Sequence, residues 1–180
     1  MKIFMPEHSK AAYFADFLIY GIAILMLALF LLIAGPRAQA LELTGLVVSG
    51  VFVWTAVEYL IHRFILHGVQ PFQRWHDEHH RRPAALIRTP TLLSASLILA
   101  LVFFPALLFS SHLWRACALT LGMLLGYFIY TVTHHAIHHS AIQNAWLKRR
   151  QHWHGLHHDH QEPGRYGVTS KLWDSIFRSN

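Results

Sequence analysis

The chain predicts an all-α integral membrane protein: four transmembrane helices and a cytosolic helical cap holding a histidine-rich di-metal site. Three observations carry that reading. Hydrophobic residues make up 54% of the 180 and charged residues only 13%, against about 25% charged in an average soluble domain, and mean hydropathy is +0.33. Four apolar runs have the length of membrane spans. Most of the sixteen histidines fall in clusters just beyond the ends of those runs.

The first span is expected over 11–34, interrupted only by Asp16; at about 1.5 Å per residue it crosses a hydrocarbon core of about 30 Å. Lys2 and Lys10 precede it and Ala38-Gln39-Ala40 resembles a small-residue cleavage site. The run exceeds the 7–15 apolar residues of a signal peptide, so it is read as a span. The second span covers 40–62 and continues as helix to His67; the third covers 91–110 and the fourth 113–133. Tight turns at 35–39 and 111–112 make two helical hairpins. The whole, 1–180, is read as a single membrane domain with His-rich segments at 62–90 and 134–180.

Four spans place both termini and the two His-rich segments on one side of the bilayer. Lys2, Lys10, Arg63, Arg74, Arg81, Arg82, Arg88, Lys148, Arg149, Arg150, Arg165, Lys171 and Arg178 then share that side, leaving Arg37 and Arg115 opposite. Segments rich in Lys and Arg stay in the cytoplasm, so the histidines and both termini are expected there. The net charge of +6 follows this topology rather than a recognition face, which excludes nucleic acid as a partner. The single cysteine, Cys117, sits in an apolar run and can form neither an internal disulfide nor a cysteine metal site. Beside the spans, the chain leaves no room for a further redox module of about 100 residues. Electrons are therefore expected from a separate protein: a reductase, a ferredoxin or a haem protein.

Histidine spacing carries the chemistry, because neutral imidazole is the common protein ligand for redox-capable first-row metals. His134 and His138 are four apart and share one helix face; His135 and His139 are likewise four apart. His62 and His67 are five apart, about 140° from each other on a regular helix. They either serve two ions or mark a widened, π-helical turn. His76, His79 and His80, and again His154, His157 and His158, repeat the form His-x-x-His-His. Each such cluster can hold one ion and reach a second, so a pair of metals is expected. His8, His112, His152 and His160 stand apart and read as ordinary polar histidines, as does His135. His139 reads as either a ligand or an outer-shell group. Glu58, four residues before His62, is expected to accept the second ring N–H of a ligand histidine; Asp174 is a further candidate for that role.

The stretches EYLIHRFILHG (Glu58–Gly68), WHDEHH (Trp75–His80), GYFIYTVTHHAIHHS (Gly126–Ser140) and HWHGLHHDHQEPGRYGVTSKLWDSIF (His152–Phe177) resemble the sterol desaturase/fatty acid hydroxylase superfamily. GVTSKLWDSIF is most similar to the fatty acid 2-hydroxylase branch. The resemblance implies two irons held by His62, His67, His76, His79, His80, His134, His138, His154, His157 and His158, with His139 matching a further family histidine. It implies hydroxylation of a C–H bond of a fatty acyl chain or sphingolipid with O₂ and two external electrons. Zinc can replace iron in purified protein. Two departures bear on the substrate. The segment between His67 and His76 is shorter than in that branch, and WHDEHHRRP resembles carotenoid ring hydroxylases. A carotenoid- or sterol-type hydroxylase or desaturase, or a histidine-rich membrane metal transporter or sensor, are the alternatives. The spans hold no histidine at mid-depth, where transport would need one. Tyr127, Tyr130 and Tyr166 are candidates to line a lipid entry or to form an interfacial aromatic belt.

Overall fold

The computed structural model describes residues 7–142, 144–159 and 164–180; Lys2 and His160 lie outside them. Among the described residues the chain is helical apart from one isolated backbone bridge between Glu7 and Ile87. Helix α1 is Lys10–Ala34, capped by the Ser9 hydroxyl, which accepts from the Ala12 N–H. Helix α2, Ala40–Leu60, runs directly into a π-helical segment, Ile61–Leu66. Helix α3 is Phe72–Arg81. The third span is built from α4 (Thr91–Ile98), a π segment (Leu99–Phe103) and α5 (Phe104–Ser110). Pro105 lies two residues past the end of that π segment; it lacks an N–H and its ring crowds the carbonyl four residues back, so the helix widens ahead of it. Helices α6 (Leu113–His139), α7 (Ala145–His157) and α8 (Leu172–Ile176) complete the chain.

Among the described residues, four helices are long and apolar enough to cross a membrane: Lys10–Ala34, Arg37–Leu66, Thr91–Ser110 and Leu113–His139. They coincide with the four expected spans: the second continues as helix to Leu66, as expected, and the fourth runs on beyond 133 to His139. Hydropathy marks where apolar side chains stop; the backbone hydrogen-bond ladder continues into polar residues.

The chain divides into two compact units, and α2 and α6 contribute residues to both. One unit comprises Ser9–Trp54 and Thr89–Phe128. Its best-buried helix is α6, whose apolar window is 67% buried against 6% for α1. Gly122 permits the close approach of α2, since a Cβ there would meet the Val47 carbonyl oxygen at 2.2 Å; small residues serve this purpose between membrane helices. Tyr20 and Ser94 share a 2.7 Å hydrogen bond and the Thr91 hydroxyl donates to buried Asp16 at 2.5 Å. The outward side chains are apolar: Leu41 is 89% and Phe109 91% exposed. Such a surface suits lipid, not water.

The other unit comprises 1–8, Thr55–Arg88 and Ile129–Asn180. Ile137, Leu147 and Val168 form its apolar centre, with Tyr130 and Ala136 against them. The Asn144 side chain caps α7 by accepting from the Leu147 N–H at 2.7 Å. Arg82 joins Glu7 (3.0 Å) to Glu78 (2.5 Å), fixing the end of α3.

Candidate metal centre

The histidine-bearing unit draws its imidazoles from four places: the α2 extension, α3, the end of α6, and α7. They converge as two adjoining groups able to hold a metal ion. His62, His67, His76, His80 and His157 form one; His79, His134, His138 and His154 form the other, with all donor atoms in a group within 4.8 Å of one another. His158 places its Nε2 3.0 Å from that of His154, and its ring stacks on His80 at 4.2 Å between centroids. Each His-x-x-His-His cluster is thus divided, with His76 and His80 in one group and His79 in the other, and His157 and His154 split in the same way.

The π-helical turn explains the five-residue spacing. An i→i+5 ladder brings residues five apart onto one face, and His62 and His67 lie with ring centroids 5.2 Å apart, both in the five-histidine group. His139 lies outside both groups, exposed on α6 and stacked on His135 at 4.6 Å. Tyr130 stacks on His134 at 5.7 Å and Tyr166 stands 5.7 Å from His62, whereas Tyr127 packs against Trp54 and Tyr20 in the other unit.

The donor set fits metal ions. In the four-histidine group the Nε2 atoms of His134, His138 and His154 form a closed triangle with edges of 3.2, 3.2 and 3.0 Å. Each neutral nitrogen is either donor or acceptor, so three atoms cannot satisfy all three edges by hydrogen bonding. A cation among three lone pairs can. Bonds of about 2.1 Å at right angles place two nitrogens about 3.0 Å apart, which is the spacing seen. His62 and His76 repeat it at 2.9 Å, and His76 and His80 at 3.0 Å. Both ring nitrogens of His79 are buried without a hydrogen-bond partner. An apolar core does not retain such a group at a cost of about 1–3 kcal/mol without a use for it.

Electrostatics keep the rings ready to bind. Burial, then the neighbouring imidazoles His138 and His158, push His79 down to about 2. Burial, then His158 and His157, does the same to His80. Burial pushes His157 down to about 3, against a hydrogen bond to a backbone carbonyl that acts upward. His76 and His154 lie well below the ordinary histidine range, chiefly from burial. All stay neutral at physiological pH, the state in which imidazole ligates.

Two buried carboxylates, Glu58 and Asp174, hold the segment that follows α7. The expectation that Glu58 accepts a histidine N–H is corrected by the structure. Its Oε1 accepts the Val168 and Thr169 N–H groups at 2.7 and 2.9 Å, and its Oε2 accepts the Thr169 hydroxyl at 2.5 Å. Asp174 likewise accepts the Tyr166 and Gly167 N–H groups at 2.9 and 2.8 Å and the Ser179 hydroxyl at 2.8 Å. Backbone carbonyls take the ring protons instead: His62 Nδ1 donates to Tyr166 at 2.6 Å and His157 Nδ1 to Gly164 at 2.7 Å. Nothing in the spacing of the motifs marks those carbonyls; that of Tyr166 comes to His62 from 104 positions away, and that of Gly164 to His157 from seven.

Four membrane-length helices and two adjoining imidazole groups define a class: helical membrane proteins built around a histidine-rich metal centre. The fatty acid hydroxylase family model matches residues 47–179, and the chain belongs to that family. A dihydroceramide fatty acyl 2-hydroxylase of Arabidopsis thaliana is 33% identical over 144 residues, 76% of this chain and 60% of that protein. A fatty acid 2-hydroxylase of Rattus norvegicus is 32% identical, over 75% of this chain and 39% of that protein. The solved structure of full-length scs7p, with only its hydroxylase domain visible, superposes with a TM-score of 0.78 at 25% identity, covering 93% of this chain and 66% of that one. The chain thus spans 60% of the plant relative and well under half of the rat one.

Proposed function

We propose that this chain is a di-iron lipid hydroxylase that adds oxygen to a fatty acyl chain, free or in a ceramide-type amide. The observation that carries the proposal is the pair of adjoining histidine groups, with spacings that imidazole hydrogen bonds alone cannot satisfy. Residues 1–180 act as one hydroxylase domain in this reading. The five- and four-histidine groups hold one iron each, and His158 stands beside the second through His154. Iron bound there supplies activation of O₂ with two electrons from a separate donor protein, one oxygen atom entering a substrate C–H bond and the other leaving as water. Zinc competes for the same imidazoles, so turnover rather than metal content identifies the working metal.

The chain's own contribution is preorganisation. His62 and His157 are held by carbonyls in the tautomer that leaves Nε2 bare, and burial keeps the remaining rings neutral. An open pocket bordered by His67, His80, His157 and Tyr166 gives access to the five-histidine group. His62 stands on the π continuation of α2 and His134 on α6, the helices that carry two of the apolar spans, so the reacting carbon belongs to a lipid rather than to a soluble metabolite. Hydroxylation at carbon 2 is supported by the names of the plant and rat relatives. The clustering of basic residues with the histidine segments supports a cytoplasmic centre.

Lipid mass spectrometry of cells with and without the protein tests the proposal. A gain of one oxygen in the acyl part of a lipid class is expected. A loss of two hydrogens instead would assign desaturation, and an unchanged lipid profile would reject both.

A further inference from the structure

The ring nitrogens of His62 and His157 that turn away from the five-histidine group end on a single loop, 164–169, at the carbonyls of Tyr166 and Gly164. A carbonyl only accepts, so both rings carry their proton on Nδ1 and face inward with a bare Nε2. The loop in turn hangs from two carboxylates outside it. Asp174, fully buried, holds the N–H groups of Tyr166 and Gly167; Glu58, 4% exposed, holds those of Val168 and Thr169. Gly167 makes this possible, because a Cβ there would meet the Ser170 carbonyl oxygen at 1.9 Å and Asp174 Oδ2 at 2.8 Å. The other group is not tied to this loop. Among the described residues, His134, His138 and His154 approach only other imidazoles within hydrogen-bonding distance, and His79 has no hydrogen-bond partner.

We propose that Glu58 and Asp174 are positioning residues for one of the two metal positions only. Acting through the 164–169 loop, they set the proton and the direction of His62 and His157, and so govern the five-histidine group while leaving the four-histidine group unaffected. The inference rests on the metal-centre reading above and adds an asymmetry to it: two ions of unequal dependence on one loop.

Cobalt(II) binding to the full chain purified in detergent tests it, read by visible absorption and metal stoichiometry alongside far-ultraviolet circular dichroism. Wild type is expected to bind two ions. Asp174→Asn turns an amide NH₂ toward a backbone N–H, and Glu58→Ala removes three hydrogen bonds. Each is expected to bind one ion as wild type does and the second about 10- to 100-fold more weakly. Glu58→Gln keeps the oxygen facing Val168 and Thr169 and is expected to keep both ions. If Asp174→Asn and Glu58→Ala retain both ions at wild-type affinity, or weaken both equally with helicity intact, the inference is overturned. Should either variant lose its helicity, Thr169→Val decides: it deletes one bond to Glu58 and is expected to weaken the same single ion, and unchanged binding overturns the inference. A wild-type protein that binds no cobalt overturns the metal-centre reading and this inference with it.

Discussion

At the scale of single residues, His79 separates a structural from a functional histidine. It is buried, and neither ring nitrogen has a hydrogen-bond partner, so in the metal-free fold it costs desolvation energy with no return. His79→Leu keeps the volume and removes the two orphaned atoms. The variant is expected to raise the stability of the chelator-treated protein by about 1–3 kcal/mol while losing the ion of the four-histidine group and all turnover. Thermal unfolding in detergent, with and without chelator, measures this; a destabilised metal-free variant would mean that the ring holds the fold instead. Which histidines gather was legible in the sequence because His-x-x-His-His and four-residue spacings are local. Their division between groups was not, since it depends on how α3 and α7 face each other. The partners of Glu58 and Asp174 were not legible: those of Glu58 lie 110 and 111 positions away, and those of Asp174, though near in sequence, are backbone N–H groups and a serine hydroxyl that no motif marks.

Helices show the same boundary between local and long-range information. Apolar length located the spans to within a residue or so for Lys10–Ala34 and Thr91–Ser110; the continuation of the second toward His67 is met by Arg37–Leu66, and the fourth runs on as helix to His139, past the 133 that apolar length marks. The spacing of His62 and His67 admitted a π turn, and Ile61–Leu66 forms one. A π turn is an α-helix with one inserted residue, which makes a directional prediction. Deleting Phe64, a half-exposed residue, leaves the two histidines four apart, about 40° from each other on an α-helix, and is expected to retain both ions. Inserting an alanine after Phe64 makes the spacing six, about 120° away, and is expected to release His67 and weaken one ion. Equal metal binding by the deletion and the insertion would show that the π turn does not set this spacing.

Across the whole molecule, the apolar exterior of one unit and the buried imidazoles of the other suit the two needs of the proposed reaction: a substrate that lives in lipid, and metal ligands that do not protonate. Composition made the apolar exterior legible, and histidine density the imidazole groups. The central claim is that the paired histidine groups direct oxygen from O₂ into a lipid C–H bond. Its most direct test is exposure of cells carrying the protein to ¹⁸O₂, with mass spectrometry of their acyl lipids. One ¹⁸O atom per newly hydroxylated chain is expected, and none in cells carrying His79→Leu. Product that carries no ¹⁸O, or that forms equally with His79→Leu, would contradict the account.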